Sequence, residues 1–232
     1  MGMYYYGIDY TYIIFVLPAI IISLIAQFKV TSTFSKYSKT TNFRQITGAD
    51  VARRILDKNS LSSVALEHTR GNLTDHYDPR SRVMRLSDSV FSSKSIAALG
   101  VAAHECGHAI QHSKGYIPLK LRHAIYPAVR FSSAAAVPLI LIGLVVNTPL
   151  LLSFGITLFS AVVLFQLITL PVEFNASKRA LSILRESRYL EDDELKAAKK
   201  VLTAAALTYV ASALTSMMQL LRFIVLANNR RR

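Results

Sequence analysis

Hydrophobic and polar positions fall along this chain in long blocks. Four blocks are almost wholly apolar: Tyr10 to Phe28, Phe131 to Val146, Leu151 to Val172, and Val201 to Leu221. Each approaches or exceeds the roughly 20 apolar residues that a helix needs to cross hydrocarbon. The pattern therefore predicts membrane helices, although the Ala- and Thr-rich fourth block would also suit a buried core helix. The second block is short. It either starts earlier or pairs with the third through the tight link "NTPL".

Between the first two blocks the periodicity changes. "FSKYSKTTNFRQ" is polar and reads as irregular, and "TGADVARRILDKNS" follows as a helix. Thr47 suits its N-cap, and Val51, Ile55 and Leu56 share one face. "SVAL" (63–66) and "SRVMRLS" (81–87) have strand character and flank "HYDPR", where Asp78-Pro79 signals a turn. A hairpin is expected there. The next helix is expected to start near Ser93 as N-cap and to end near Gly115. The expected organisation is an N-terminal transmembrane helix (1–28), a membrane-associated catalytic unit (29–123) and two transmembrane helices (124–172). A segment at 173–200 and a C-terminal transmembrane helix with a basic tail (201–232) complete it.

Composition agrees with membrane helices. Of 232 residues, 52% are hydrophobic, and the mean hydropathy is +0.34, high for a soluble domain. No Lys or Arg precedes the first apolar block and no small-residue cleavage site follows it, so a conventional signal peptide is not expected. The net charge is +13; 15 of the 27 basic residues lie between Lys29 and Arg122 and 7 between Lys178 and Lys200. With four spans both stretches lie on one side, and the positive-inside rule makes that side cytoplasmic. The C-terminal "NNRRR" pulls the other way. The charges are dispersed and no nucleic-acid motif accompanies them, so a bilayer with anionic headgroups is the expected partner and nucleic acid is not. The single cysteine, Cys106, excludes an intrachain disulfide and suits a reducing compartment.

Candidate chemistry sits in "VAAHECGHAIQH", residues 101–112. On a helix His104 and His108 project side by side, where two imidazoles can grip one Zn2+. Glu105 is placed to take a proton from an attacking water and hand it to a leaving amine. Polar groups on a helix led in by "IAALGVAA" need partners, which favours a metal over a fortuitous surface helix. Zinc needs a third ligand. His112 is one candidate, but it lies about 12 Å along the axis from His104. Glu173, in "LPVEFNASKRA", is the better one. A carboxylate ending an apolar helix is costly without a partner, either the metal or Lys178 or Arg179.

These stretches resemble the bacterial multi-pass neutral zinc metallopeptidases of the YugP type. "HECGHAIQH", "ITLPVEFNASKRA", "AQFKVTSTFSKYS", "TGADVARRIL", "LTDHYDPRSRVMRLS" and "ALTYVASAL" carry the resemblance over nearly the whole chain. More distantly the chain is similar to membrane gluzincins of the heat-shock and CAAX-prenyl protease type. The resemblance implies a mainly α protein: integral-membrane helices with a small zincin-like α+β catalytic unit. It implies zinc on His104, His108 and Glu173, with Glu105 as general base. Ser177 stands where the distant relatives carry an Asp that orients a zinc-bound His, and Asn175 is a second candidate for that task. His76, His123, Tyr116 and Arg179 are candidate oxyanion donors. "SRVMRLS" is expected as an edge strand able to hold an extended peptide, or else as an ordinary strand covering the helix. Cys106 is expected to pack away from the metal.

The expected activity is that of an integral-membrane zinc endopeptidase acting on membrane or membrane-proximal proteins. A non-catalytic zinc-binding scaffold is the alternative, but it has no need of Glu105. A site-2-type intramembrane protease would require NPDG- or LDG-like motifs, which are absent. A transporter is disfavoured by the few ionisable residues in the apolar blocks.

Overall fold

The computed structural model describes residues 4–5 and 8–230. Short strands β1 (Tyr4–Tyr5) and β2 (Ile8–Asp9) pair antiparallel. A π-helical turn at Tyr12–Val16 leads into α1 (Leu17–Ser38). Then follow α2 (Gly48–Lys58), β3 (Ala65–Thr69), β4 (His76–Asp78), β5 (Val83–Ser87) and α3 (Ile96–Ser113). Three long helices complete the chain: α4 (Ile117–Val145), α5 (Pro149–Glu186) and α6 (Asp192–Arg230). The protein is mainly α, with one small three-stranded sheet.

Among the described residues four helices are long and apolar enough to cross a membrane: Tyr12–Ser38, Ile117–Val145, Pro149–Glu186 and Asp192–Asn229. The four apolar blocks fall within them except for Tyr10, Thr11 and Val146, which lie just outside those bounds. The helices overrun the blocks because polar but helix-compatible residues extend the same hydrogen-bond ladder. Thus α1 continues to Ser38, and the irregular stretch expected from Phe34 begins only after that residue. Phe34 explains the extension, since its side chain is buried in a core shared with α2 and α3. The second span does start earlier, at Ile117, and the tight link is made by Asn147 in left-handed conformation (φ 55°) before Pro149 opens α5.

The chain divides into two compact units. One comprises Met1–Gln27, Leu121–Leu170 and Thr208–Arg232; the other comprises Phe28–Lys120 and Pro171–Leu207. In the first, Ile140, Leu152, Phe223 and Ala227 form a small core. Also within it, Ser23 and Thr215 hydroxyls lie 2.9 Å apart. Such a pair satisfies polar groups that lipid cannot.

The second unit holds the larger core. Thr47 caps α2 through a reciprocal box: its Oγ1 accepts from Asp50 N–H, and the Asp50 carboxylate accepts from Thr47 N–H at 2.9 Å. Val51, Ile55 and Leu56 are buried, as their shared face requires. The cap of α3 is Ser95, two residues later than expected. Its Oγ accepts from Ala98 N–H, and Ser93 instead donates to Ser95 Oγ.

The sheet departs from the expected hairpin. Its order is β3-β5-β4; β3 runs parallel to β5 and β4 antiparallel to it. Residues 76–78 of "HYDPR" are thus a strand, and only its end turns, around Asp78-Pro79. Consequently β5 is central and not an edge. Both of its sides are paired, and Met84 and Leu86 are fully buried. An extended peptide cannot add to β5, because its backbone groups are already used by β3 and β4.

Candidate metal centre

Within the second unit, α3 and the C-terminal part of α5, from Pro171 onward, build the site. The residues Ala97, Ala98, Ala102, Ala103 and Ala109 keep α3 slim, and all are buried. Gly107 lets α3 lie close against α5: a Cβ there would lie 2.7 Å from Ala176 O. That approach sets His104 and His108, one turn apart, opposite Glu173.

The geometry is compact. Glu173 Oε2 is 3.3 Å from His104 Nε2 and 3.5 Å from His108 Nε2. One ligand atom from each of the three residues lies within 4.8 Å of the others. Two ligands about 2.0–2.2 Å from a tetrahedral zinc stand roughly 3.3–3.5 Å apart. The observed His–Glu separations match that edge. The Glu173 side chain is 2% exposed, and a carboxylate so enclosed requires a cation or strong donors. The donor set of two imidazoles and a carboxylate therefore fits Zn2+ with one position left open.

The imidazoles are oriented from behind. Gln111, fully buried, donates through Nε2 to Val172 O at 2.8 Å and to Asn175 Oδ1 at 3.0 Å. A carbonyl can only accept, so the amide nitrogen faces Val172 and Oε1 faces His108. Oε1 lies 3.1 Å from His108 Nδ1. His108 must then carry its proton on Nδ1, which frees the Nε2 lone pair for a metal. Asn175 Oδ1 is itself held by Arg179 Nε, which donates at 2.7 Å. On the other imidazole, Ser177 Oγ lies 3.1 Å from His104 Nδ1. Without a metal, burial opposes protonation of His108, but the Glu173 hydrogen bond and the charges of Glu105 and Glu173 outweigh it and raise its pKa.

The remaining expected residues fall as follows. Glu105 is buried on α3 beside His104. His112 is not part of the cluster; its Nδ1 is 3.0 Å from Tyr77 Oη, on β4. Arg179 serves Asn175, and Glu173 faces histidines, not Lys178 or Arg179. Tyr116 Oη donates to Pro171 O at 3.5 Å, and His76 Nδ1 faces Thr74 O at 2.8 Å. His123 belongs to the other unit. Cys106 packs away from the cluster, with Sγ 3.6 Å from Ala52 O and 4.0 Å from Met84 Sδ. Burial pushes its thiol pKa far up, so it is no nucleophile. Two contributors went unassigned in the sequence, Gln111 and Tyr77. Gln111 had a legible signal: it stands three residues after His108, on the same helix face.

The chain thus combines helices long and apolar enough to cross a membrane with a His-His-Glu cluster, on two packed helices, that could hold a metal. Residues 12–228 match the family described as "Putative neutral zinc metallopeptidase", and the chain belongs to that family. It is 51% identical over 220 residues to "Putative membrane protease YugP" of Bacillus subtilis (strain 168), covering 95% of this chain and 98% of that protein. No solved structure matches the chain.

Proposed function

We propose that this chain is an integral-membrane zinc metalloendopeptidase that hydrolyses peptide bonds of membrane or membrane-proximal proteins. The observation that carries the reading is the His104, His108 and Glu173 cluster, with a buried glutamate, Glu105, next to the first histidine.

His104 Nε2, His108 Nε2 and a Glu173 carboxylate oxygen would hold the metal. Zinc there would lower the pKa of a water toward about 7 and polarise the scissile carbonyl. Glu105 takes a proton from the attacking water as the C–O bond forms and delivers it to the amide nitrogen as the C–N bond breaks. Gln111 and Ser177 keep both imidazoles in the ligating orientation. Among the strands, β4 is the sheet edge that packs against α3, and Tyr77 ties it to His112. It is the place where an extended substrate would add by main-chain hydrogen bonds.

The site is assigned to the cytoplasmic side of the cell membrane. The basic residues of 29–122 and 178–200 support this through the positive-inside rule. Impermeant maleimide reaching Arg80→Cys in intact cells as readily as in lysed ones would reverse the assignment.

The decisive test is zinc per monomer and peptide hydrolysis in detergent-purified wild type, Glu105→Gln, His104→Ala and Glu173→Ala. The expected result is about one zinc in wild type and Glu105→Gln, with a large loss in the other two. Hydrolysis is expected in wild type alone. Zinc retained in Glu173→Ala would remove the proposed ligand set. Hydrolysis retained in Glu105→Gln would remove the proposed base. Soluble casein cut as fast as membrane substrates would remove the substrate class.

A further inference from the structure

The second unit contains a cleft of about 710 Å3 outside the metal centre. It is lined by Lys29, Ser32 and Lys36 of α1 and by Lys196, Lys199 and Lys200 of α6. No carboxylate lines it. Lys196 is paired with Asp193 at 2.8 Å, outside the lining. Among the described residues no carboxylate pairs with Lys29, Lys36, Lys199 or Lys200. Four exposed ammonium groups thus share one cavity, with mutual repulsion that an anion would relieve.

The position of the cleft along the two helices identifies the anion. Lys29 directly follows the apolar run of α1, and Lys200 directly precedes that of α6. The cleft therefore lies at the level where both helices pass from apolar to charged residues, the level of lipid headgroups. Buried Ala204 lies one turn inside the apolar run of α6 and also lines the cavity. The lining at this boundary also includes Thr33, Tyr37 and Thr203, so it combines lysine side chains with hydroxyl and apolar groups. Lysine stems suit such a boundary, because they cover apolar surface while the ammonium reaches polar groups. We infer that this cleft binds the phosphate-bearing headgroup of an anionic phospholipid, held by the ammonium groups of Lys29, Lys36, Lys199 and Lys200. The volume suits a ligand of that size, since pockets of roughly 300–1,000 Å3 take small organic ligands. The inference needs the membrane helices but neither zinc nor peptidase activity.

The test is native mass spectrometry of the full chain released from detergent, with phosphatidylglycerol or phosphatidylcholine added. Wild type is expected to retain phosphatidylglycerol about tenfold over phosphatidylcholine. The variant Lys29→Ala, Lys36→Ala, Lys199→Ala, Lys200→Ala is expected to lose that preference. A variant that removes four cations elsewhere (Arg70→Ala, Arg80→Ala, Lys94→Ala, Lys114→Ala) is expected to keep it. If the first variant does not fold, as judged by its thermal transition, the pair Lys199→Ala, Lys200→Ala takes its place with a partial loss expected. Equal losses in the two four-residue variants would overturn the site in favour of bulk charge. Displacement of the lipid by millimolar inorganic phosphate would assign the cleft to free phosphate. Displacement by an acidic peptide would assign it to a protein partner. Either outcome overturns the lipid assignment.

Discussion

Ser177 Oγ lies 3.1 Å from His104 Nδ1, one helical turn beyond Glu173 on α5. A single helix therefore supplies both a carboxylate aimed at the imidazole Nε2 and a hydroxyl behind the same ring. With Nε2 as ligand, Nδ1 carries the proton and the hydroxyl accepts it. A hydroxyl is a weaker acceptor than a carboxylate, yet it fixes the ring's rotation. Ser177→Ala is expected to weaken zinc binding about tenfold, and Ser177→Asp to tighten it severalfold. Chelator competition with purified protein measures both. Unchanged affinity in Ser177→Ala would mean that packing alone orients His104.

Gln111 performs the matching task for His108, from a fully buried position and with all its contacts made. Gln111→Leu keeps the approximate volume but leaves His108 Nδ1–H without its acceptor. The expected cost is roughly 1–3 kcal/mol of stability, together with about a tenfold loss of zinc affinity. Gln111→Glu keeps the acceptor but sets oxygen against Val172 O and Asn175 Oδ1, so it is expected to fare worse in thermal unfolding. If Glu proves milder than Leu, the donor half of this amide is dispensable.

The capping box of α2 gives a pH-dependent prediction. Hydrogen bonds from the Thr47 side chain and backbone hold the Asp50 pKa below its ordinary value of 3.8. Lowered in the folded state, that carboxylate stabilises the fold above pH 3.8 and loses its contribution as pH falls through the folded value. Thr47→Ala is expected to cost about 1 kcal/mol at neutral pH. Because it removes part of what lowers the Asp50 pKa, the gap to wild type should narrow in acid. Thermal transitions in detergent at pH 7 and below pH 4 read the difference.

These contacts show which parts of the molecule were legible in the sequence. The spans were, because crossing hydrocarbon demands unbroken apolar length. So was the start of α2, where Thr47 and Asp50 are local neighbours. His104 and His108 were legible because four residues on a helix is a fixed geometry. Glu173 was inferred from cost: a carboxylate among apolar residues needs a partner. The sheet was misread because Asp78-Pro79 is a strong local turn signal, whereas the parallel pairing of β3 with β5 is non-local and leaves no periodic trace. The consequence reached the site, since it moved the free edge from β5 to β4. Gln111 was passed over for a similar reason. Its meaning depends on Val172 and Asn175, which lie on another helix.

The closeness of α3 to α5 is the feature on which the cluster depends most, and two glycines of α3 separate its effect from helix propensity. At Gly107 a Cβ would lie 2.7 Å from Ala176 O and 3.1 Å from Ala176 Cα, both backbone atoms of α5. Backbone cannot rotate aside, so the helices must part. At Gly100 a Cβ would lie 3.6 Å from Ala198 Cβ, an ordinary contact. Neither glycine has positive φ, so alanine suits the local conformation at both. Gly100→Ala is expected to be neutral or stabilising by up to about 1 kcal/mol. Gly107→Ala is expected to destabilise by about 1–3 kcal/mol. It should also lower zinc affinity at least about tenfold, because Ala176 lies between the residues that contact both histidines. Thermal unfolding and zinc titration of the two variants side by side decide the matter. Equal behaviour of the pair would mean that the cluster tolerates separation of its helices.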